Sequence, residues 1–265
     1  MSLILLAVTS MGALAAFFAV MLSVAHSRLK VEEDPRIEKL FEELPGANCG
    51  ACGFASCRAL AEAIVKGEAA TTSCVVGGSE VAAKISQLMG VEAEAVERKL
   101  AFVRCGAGVS ERAKKAIYRG VETCRAANLV MGADVACSYG CLGFGDCQRI
   151  CPFDAIKMVD FLPHIDLSRC TGCGRCVEVC PRGIIVLENL EDINYRVKCS
   201  SLDKGKKARQ VCEKSCIACG RCVKSCPYEA CWMEDNLAHI DPVNCQVCGV
   251  CYTVCPTGAI VEVKS

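Results

Sequence analysis

Residues 170–181 read CTGCGRCVEVCP, and the same CxxCxxCxxxCP run returns as CIACGRCVKSCP at 216–227 and CQVCGVCYTVCP at 245–256. A fourth stretch, CSYGCLGFGDCQRICP at 137–152, ends in the same way with looser spacing at its start. In such a run three thiolates grip one [4Fe–4S] cluster, and the fourth, just before the proline, reaches across to the other cluster of a pair. Zinc ribbons also gather four cysteines but have no need of the trailing Cys-Pro. The sites therefore interleave. The first pair is Cys137, Cys141 and Cys147 with Cys180, and Cys170, Cys173 and Cys176 with Cys151; the second is Cys216, Cys219 and Cys222 with Cys255, and Cys245, Cys248 and Cys251 with Cys226.

Each Cys-Pro is followed by a short apolar stretch, DAIKMV, GIIVL, ACWM or GAIVEV, of the kind that forms strands. These are the parts of two tandem bacterial-type 2[4Fe–4S] ferredoxin domains, over 124–190 and 191–265. A shift of 75 positions lays Cys151 on Cys226, the HID of 164–166 on the HID of 239–241, and Cys180 on Cys255, so the two are copies. The same shift lays Cys124 on Cys199 and Cys137 on Cys212, while Cys219 falls on Phe144. The strict run favours Cys219 as the ligand and leaves Cys212 as a neighbour or an alternative. Cys105, Cys124, Cys199, Cys212 and Cys231 then stand outside the expected ligands. Cys231 falls on Ile156 and is expected to pack as a small hydrophobe. His164 and His239 are expected to be structural.

Upstream, NCGACGFASC at 48–57 opens a further module in which Cys49, Cys52, Cys57 and Cys74 read CxxCx4Cx16C. Gly50 and Gly53 let the backbone curl so that N–H groups face one anionic object. RALAEAIVKGEAA, at 58–70, has near-helical apolar spacing and returns the chain to deliver Cys74. A zinc ion held by the four thiolates is the plain competitor for this module alone. The expected domain order is a membrane anchor over 1–28, the four-cysteine module over 29–78, a helical connector over 79–123, and the ferredoxin units. The fold class is thus α+β.

Ser2 to Ala25 carry no charged side chain, and 24 residues in a helix outreach a hydrocarbon core of ~30 Å. A cleaved signal peptide would place basic residues before the apolar run, whereas Arg28 and Lys30 follow it. By the positive-inside rule the anchor is single-pass in the inner (plasma) membrane, with the soluble part in the cytoplasm. Gly12 and Ala16 form a small-xxx-small pair suited to helix packing. A reducing cytoplasm argues against structural disulfides, the first alternative for 25 cysteines in 265 residues, as does the odd count. With 30 basic and 30 acidic residues the chain has no nucleic-acid signature, and 5% aromatics with one Trp leave little large apolar volume for cores. About five [4Fe–4S] clusters would do that work.

The order of anchor, CxxCx4Cx16C module and ferredoxin runs resembles the B subunits of Rnf complexes, the ion-translocating ferredoxin:NAD⁺ oxidoreductases. The resemblance covers nearly the whole chain. It implies a component of a translocase that accepts electrons from soluble ferredoxin and passes them to other membrane subunits, with flavin and NAD sites elsewhere. It also carries the family's ligand roles onto Cys49, Cys52, Cys57 and Cys74, and onto Cys151, Cys170, Cys173, Cys176 and Cys180. The second ferredoxin departs from the shorter members. No glycine-rich nucleotide fingerprint, CxxCH haem motif or catalytic constellation is present, so no side chain beyond the ligands is expected to be catalytic. A polyferredoxin serving another membrane oxidoreductase is the alternative. The basic stretch RVKCSSLDKGKKARQVCEK at 196–214 is either a surface that steers an acidic ferredoxin or a merely solvated loop.

Overall fold

The uncharged N-terminal run forms one long helix, α1 (Ser2–Leu29), whose described side chains face outward on all sides. Leu5 to Arg28 is long and apolar enough to cross a membrane and has none of its surface buried against the rest of the chain. The computed structural model describes residues 2–29, 34–92, 98–189 and 195–263; Lys30 and positions 93–97 of the expected connector lie outside them.

Three helices build the first module. α2 (Pro35–Glu43) starts where Asp34 accepts a hydrogen bond from Arg36 N at 2.9 Å, with Pro35 already holding a helical φ. α3 (Cys57–Val65) starts at Ser56, whose hydroxyl accepts from Ala59 N at 3.1 Å, and such a cap stabilises a helix by about 1 kcal/mol. α4 (Gly78–Met89) ends on Gly90 in the left-handed region, and its Ser86 hydroxyl donates to Thr71 at 2.9 Å. Leu40, Leu60, Ile64 and Ile85 are the fully buried centre, and the thiols of Cys57 and Cys74 belong to the same core.

The remainder is two like units. In the first, β1 (Leu100–Val103) is followed by α5 (Cys124–Leu129), α6 (Asp146–Ile150), β2 (Ile156–Val159), β3 (Leu162–Ile165), α7 (Arg175–Val179) and β4 (Ile185–Glu188). The second runs β5 (Tyr195–Val197), α8 (Gly205–Val211), α9 (Arg221–Ser225), β6 (Cys231–Glu234), β7 (Leu237–Ile240), α10 (Val250–Thr253) and β8 (Ile260–Glu262). Each unit pairs its first strand antiparallel with its last, Phe102 opposite Val186 and Arg196 opposite Val261, and adds a hairpin, Ile156 opposite Ile165 and Cys231 opposite Ile240. The hairpins turn through Asp160-Phe161 and Asp235-Asn236, all four with positive φ, as two-residue loops require. Gly143 makes room for the first of these turns: a Cβ there would stand 2.9 Å from Phe161 Cβ, and its φ is +84°.

The expected helical connector is corrected here. After α4 the segment becomes β1, whose partner β4 lies far along the chain, so the first unit begins well before residue 124. LAFV is four apolar residues long, too short for its period to separate strand from helix, and only the distant partner decides.

Helices of four or five residues fall well short of the ~12–15 that stand alone in water, and two-stranded sheets are marginal too. What binds these pieces is small cores in which thiols sit among aliphatic side chains. Cys141, Cys147, Cys170 and Cys176 pack with Ile184 and Ile185; Cys216, Cys222 and Cys251 pack with Val197 and Ile260.

Candidate metal centres

All 25 cysteines are free thiols. Four pockets are lined by four cysteines apiece. The first holds Cys49, Cys52, Cys57 and Cys74. The second holds Cys170, Cys173 and Cys176 with Cys151. The third holds Cys216, Cys219 and Cys222 with Cys255, so Cys219 and not Cys212 lines it.

The fourth cavity differs from expectation. Cys141, Cys147 and Cys180 line it together with Cys124, and Cys137 does not. The reason lies at position 144, where the strict run would have a cysteine and this chain has Phe, packed edge-on against Tyr118 with ring centres 5.5 Å apart. Cys124 fills the vacant corner from the first turn of α5. Thr123 caps that turn by accepting from Ala126 N, and the Asp146 carboxylate accepts from Arg125 N at 3.1 Å, tying α5 to the start of α6.

For Cys226, Cys245, Cys248 and Cys251 the repeat supplies the geometry. Cys245 N donates to Asp241 O at 3.1 Å and Asp241 N to Ala230 O at 2.8 Å. The equivalent bonds of the first unit are Cys170 N to Asp166 O at 3.0 Å and Asp166 N to Ala155 O at 2.8 Å. Cys226 caps α9, Cys251 lies in α10, and the two helices pack together. Cys231 does more than fill space: its thiol hydrogen-bonds the Cys251 sulfur and lowers the pKa of Cys251. His239 stacks on Trp232 at 5.2 Å, which fits its structural reading.

Each short cluster-loop helix is entered through a left-handed glycine, Gly145, Gly174, Gly220 or Gly249, where a side chain would strain the turn. Backbone N–H groups aim at the sulfurs: Gly143 at Cys141, Arg175 at Cys173, Gly77 at Cys74. Burial, with neighbouring sulfurs, pushes Cys147 and Cys222 up to about 11 and Cys176 to about 12. Four thiolates together in such surroundings need a cationic centre to hold them ionised. Among the described residues no three Cys, His, Asp or Glu side chains close on a single metal ion. Arg182, whose buried Nε has no hydrogen-bond partner, lines the pocket of Cys124 and Cys180. The four-thiolate linings and the backbone N–H groups directed at their sulfurs fit [4Fe–4S] groups.

The expected basic stretch is only partly a surface. Arg196 is buried and paired with Glu188 at 2.8 Å, Lys198 is half-buried, and Lys214 pairs with Glu111 at 3.5 Å. Lys204, Lys206, Lys207 and Arg209 are exposed on or beside α8, Lys207 meeting Asp203 at 2.7 Å.

Family models match three parts of the chain: an Fe-S cluster module over 44–76, a 4Fe-4S binding domain over 163–186 and a 4Fe-4S dicluster domain over 215–259. The B subunit of the Na(+)-translocating ferredoxin:NAD(+) oxidoreductase complex of Acetobacterium woodii is 44% identical over 97% of this chain and 77% of its own length. The B subunit of the ion-translocating oxidoreductase complex of Methanosarcina acetivorans is 40% identical over 91% of both chains. The B subunit of the proton-translocating ferredoxin:NAD(+) oxidoreductase complex of Clostridium ljungdahlii is 38% identical over 100% of this chain and 94% of its own.

Proposed function

Because this chain belongs to the B-subunit family of the Rnf-type ion-translocating ferredoxin:NAD⁺ oxidoreductases, we propose that it takes electrons from reduced soluble ferredoxin and delivers them to membrane-embedded partner subunits, whose ion translocation they drive. A [4Fe–4S] group held by four thiolates accepts and returns one electron without any bond to the protein breaking. The ligands in this reading are the five quartets: Cys49, Cys52, Cys57 and Cys74; Cys151, Cys170, Cys173 and Cys176; Cys124, Cys141, Cys147 and Cys180; Cys216, Cys219, Cys222 and Cys255; and Cys226, Cys245, Cys248 and Cys251.

The serial placement of these quartets carries the proposal. Cys173 of one lies within electrostatic range of Cys49 of the module next to α1. Cys176 lies within range of Cys147 in the neighbouring quartet. In the second unit Cys231 lies within range of both Cys226 and Cys222, which belong to different quartets. Cys219 and Cys248 are the exposed cysteines, so the second unit is the end open to a diffusing donor and the first module is the end tethered to the bilayer. Arg28, after the apolar run, orients α1 so that the soluble part is cytoplasmic.

Purification from membranes without oxygen tests this. Iron and sulfide should each reach at least about twenty atoms per chain for five cubanes, reduced ferredoxin should bleach the visible absorbance, and other subunits of the complex should copurify. Eight irons or fewer, or an absorbance indifferent to ferredoxin, overturns the reading.

A further inference from the structure

Four cysteines remain outside the five quartets and away from Cys231: Cys105, Cys137, Cys199 and Cys212. They come from three distant parts of the chain, yet they are not scattered. Cys105 follows β1 and Cys199 follows β5, each two residues past the strand's end. Arg104 N donates to Ile184 O at 2.7 Å, and Lys198 N to Ala259 O at 2.8 Å, which are the same bond in the two units. Structurally, then, Cys105 and not Cys124 is the counterpart of Cys199, and the first unit carries an insertion after Cys105 that contains Cys124.

The sulfurs follow the same repeat relation. Cys141 N donates to Cys105 Sγ at 3.4 Å, and its repeat counterpart Cys216 N donates to Cys199 Sγ at 3.3 Å. The N–H of Tyr139 faces Cys137, and that of Lys214, its counterpart, faces Cys212. The insertion draws the two halves together. Its residues 111–115 form a rung that pairs on one side with the lead-in to Cys137, Ala136 N donating to Ala113 O at 3.0 Å, and on the other with the Cys212 segment, Ala113 N donating to Val211 O at 2.9 Å. Two strand spacings, ~10 Å, therefore separate the backbones that carry Cys137 and Cys212. A Cβ on Gly140 would lie 3.4 Å from Cys137 Sγ and 4.0 Å from Cys105 Sγ, so both sulfurs look onto one point. Ser200 closes the other edge, its hydroxyl donating to Arg104 O at 2.9 Å. Cys137, Cys199 and Cys212 are buried and Cys105 is half-buried.

We propose that Cys105, Cys137, Cys199 and Cys212 are a sixth four-thiolate site, two ligands from each ferredoxin unit, holding a [4Fe–4S] cluster between the copies. This rests on the iron–sulfur reading of the other quartets and supplies what their order lacks. Cys141 belongs to the nearest quartet of the first unit and Cys216 to the nearest quartet of the second, and each touches the new site through its own N–H. The row of quartets becomes unbroken from Cys248 to Cys49.

Native mass spectrometry of the full-length chain, purified without oxygen in detergent, reads the count directly, with iron, sulfide and zinc assayed beside it. Six cubanes, about 24 irons per chain, are expected. The Cys137→Ala, Cys212→Ala double variant should lose about four irons and four sulfides and keep the rest, and Cys105→Ala with Cys199→Ala should do the same. Five cubanes in the wild type overturn the sixth site while leaving the other five intact. One zinc per chain that disappears in the double variant overturns it as an iron–sulfur site. No cubanes at all would instead sink the reading of the whole chain, a different result from either. Should both double variants fail to fold, the wild-type mass alone decides between five and six.

Discussion

Phe144 is the residue on which the ligand assignment of the first ferredoxin unit turns. Its counterpart under the 75-residue repeat is Cys219, which lines its cavity, and the corner left open by Phe144 is taken by Cys124. If that exchange is right, Cys124→Ala should cost one cluster, about four irons per chain, and adding Phe144→Cys should restore it, because a thiol at 144 re-creates the strict run. Iron content and cluster absorbance of the two variants check this. A Cys124→Ala chain with undiminished iron would remove Cys124 from the ligands. The strict runs were legible because their ligands are local: three thiolates within seven residues and a fourth marked by proline. Cys124 was not, since the turn that delivers it is closed by Asp146, far along the chain from the residue it caps. One signal was available. The second copy keeps Cys212, the counterpart of Cys137, although it already has four ligands in its strict run, so a cysteine at that position serves something other than the nearest cluster.

At the scale of elements, β1 and α8 show what periodicity can and cannot say. β1 lies within a stretch whose composition suits a helix, and it becomes a strand because β4 offers a paired edge from the far end of the unit. Loop closure over such a separation leaves no local trace. The basic stretch around α8 is legible as charge, but tertiary pairing decides which charges stay at the surface: Arg196 and Lys214 are engaged with Glu188 and Glu111, while Lys206, Lys207 and Arg209 remain exposed. α8 belongs to the second unit, the one proposed above to face the donor. Reversing Lys206, Lys207 and Arg209 to Glu should slow ferredoxin-dependent reduction at low salt by about tenfold or more and flatten its salt dependence, as expected when steering charges are inverted. Stopped-flow bleaching over a salt series measures it, and an unchanged low-salt rate discards α8 as the docking element. Lys207 is also held by Asp203, so reversing Lys206 and Arg209 alone should give most of the effect.

The molecule as a whole is a row of small thiolate cages hung from one helix, and its stability follows from that. Its cores contain few large side chains, its ferredoxin helices span one turn, and the buried thiols favour the protonated form, so cluster assembly and folding of these units are one event. α1 stands apart from that coupling. None of its apolar window, Leu5–Arg28, is buried against the rest, so its removal exposes no core. Deleting residues 2–29 should therefore yield a chain soluble without detergent, with the same iron content and the same bleaching by reduced ferredoxin. What it should lose is delivery. Without the anchor the first module no longer shares a membrane plane with its partners, and an encounter that was intramolecular becomes bimolecular, a loss of about 10²–10⁴ in effective affinity. Ferredoxin-dependent NAD⁺ reduction by membranes reconstituted with the truncated chain should fall accordingly and recover as its concentration is raised. A truncated chain that supports full activity at stoichiometric concentration would show that the soluble surface alone holds the complex together, and α1 would then be dispensable to electron transfer.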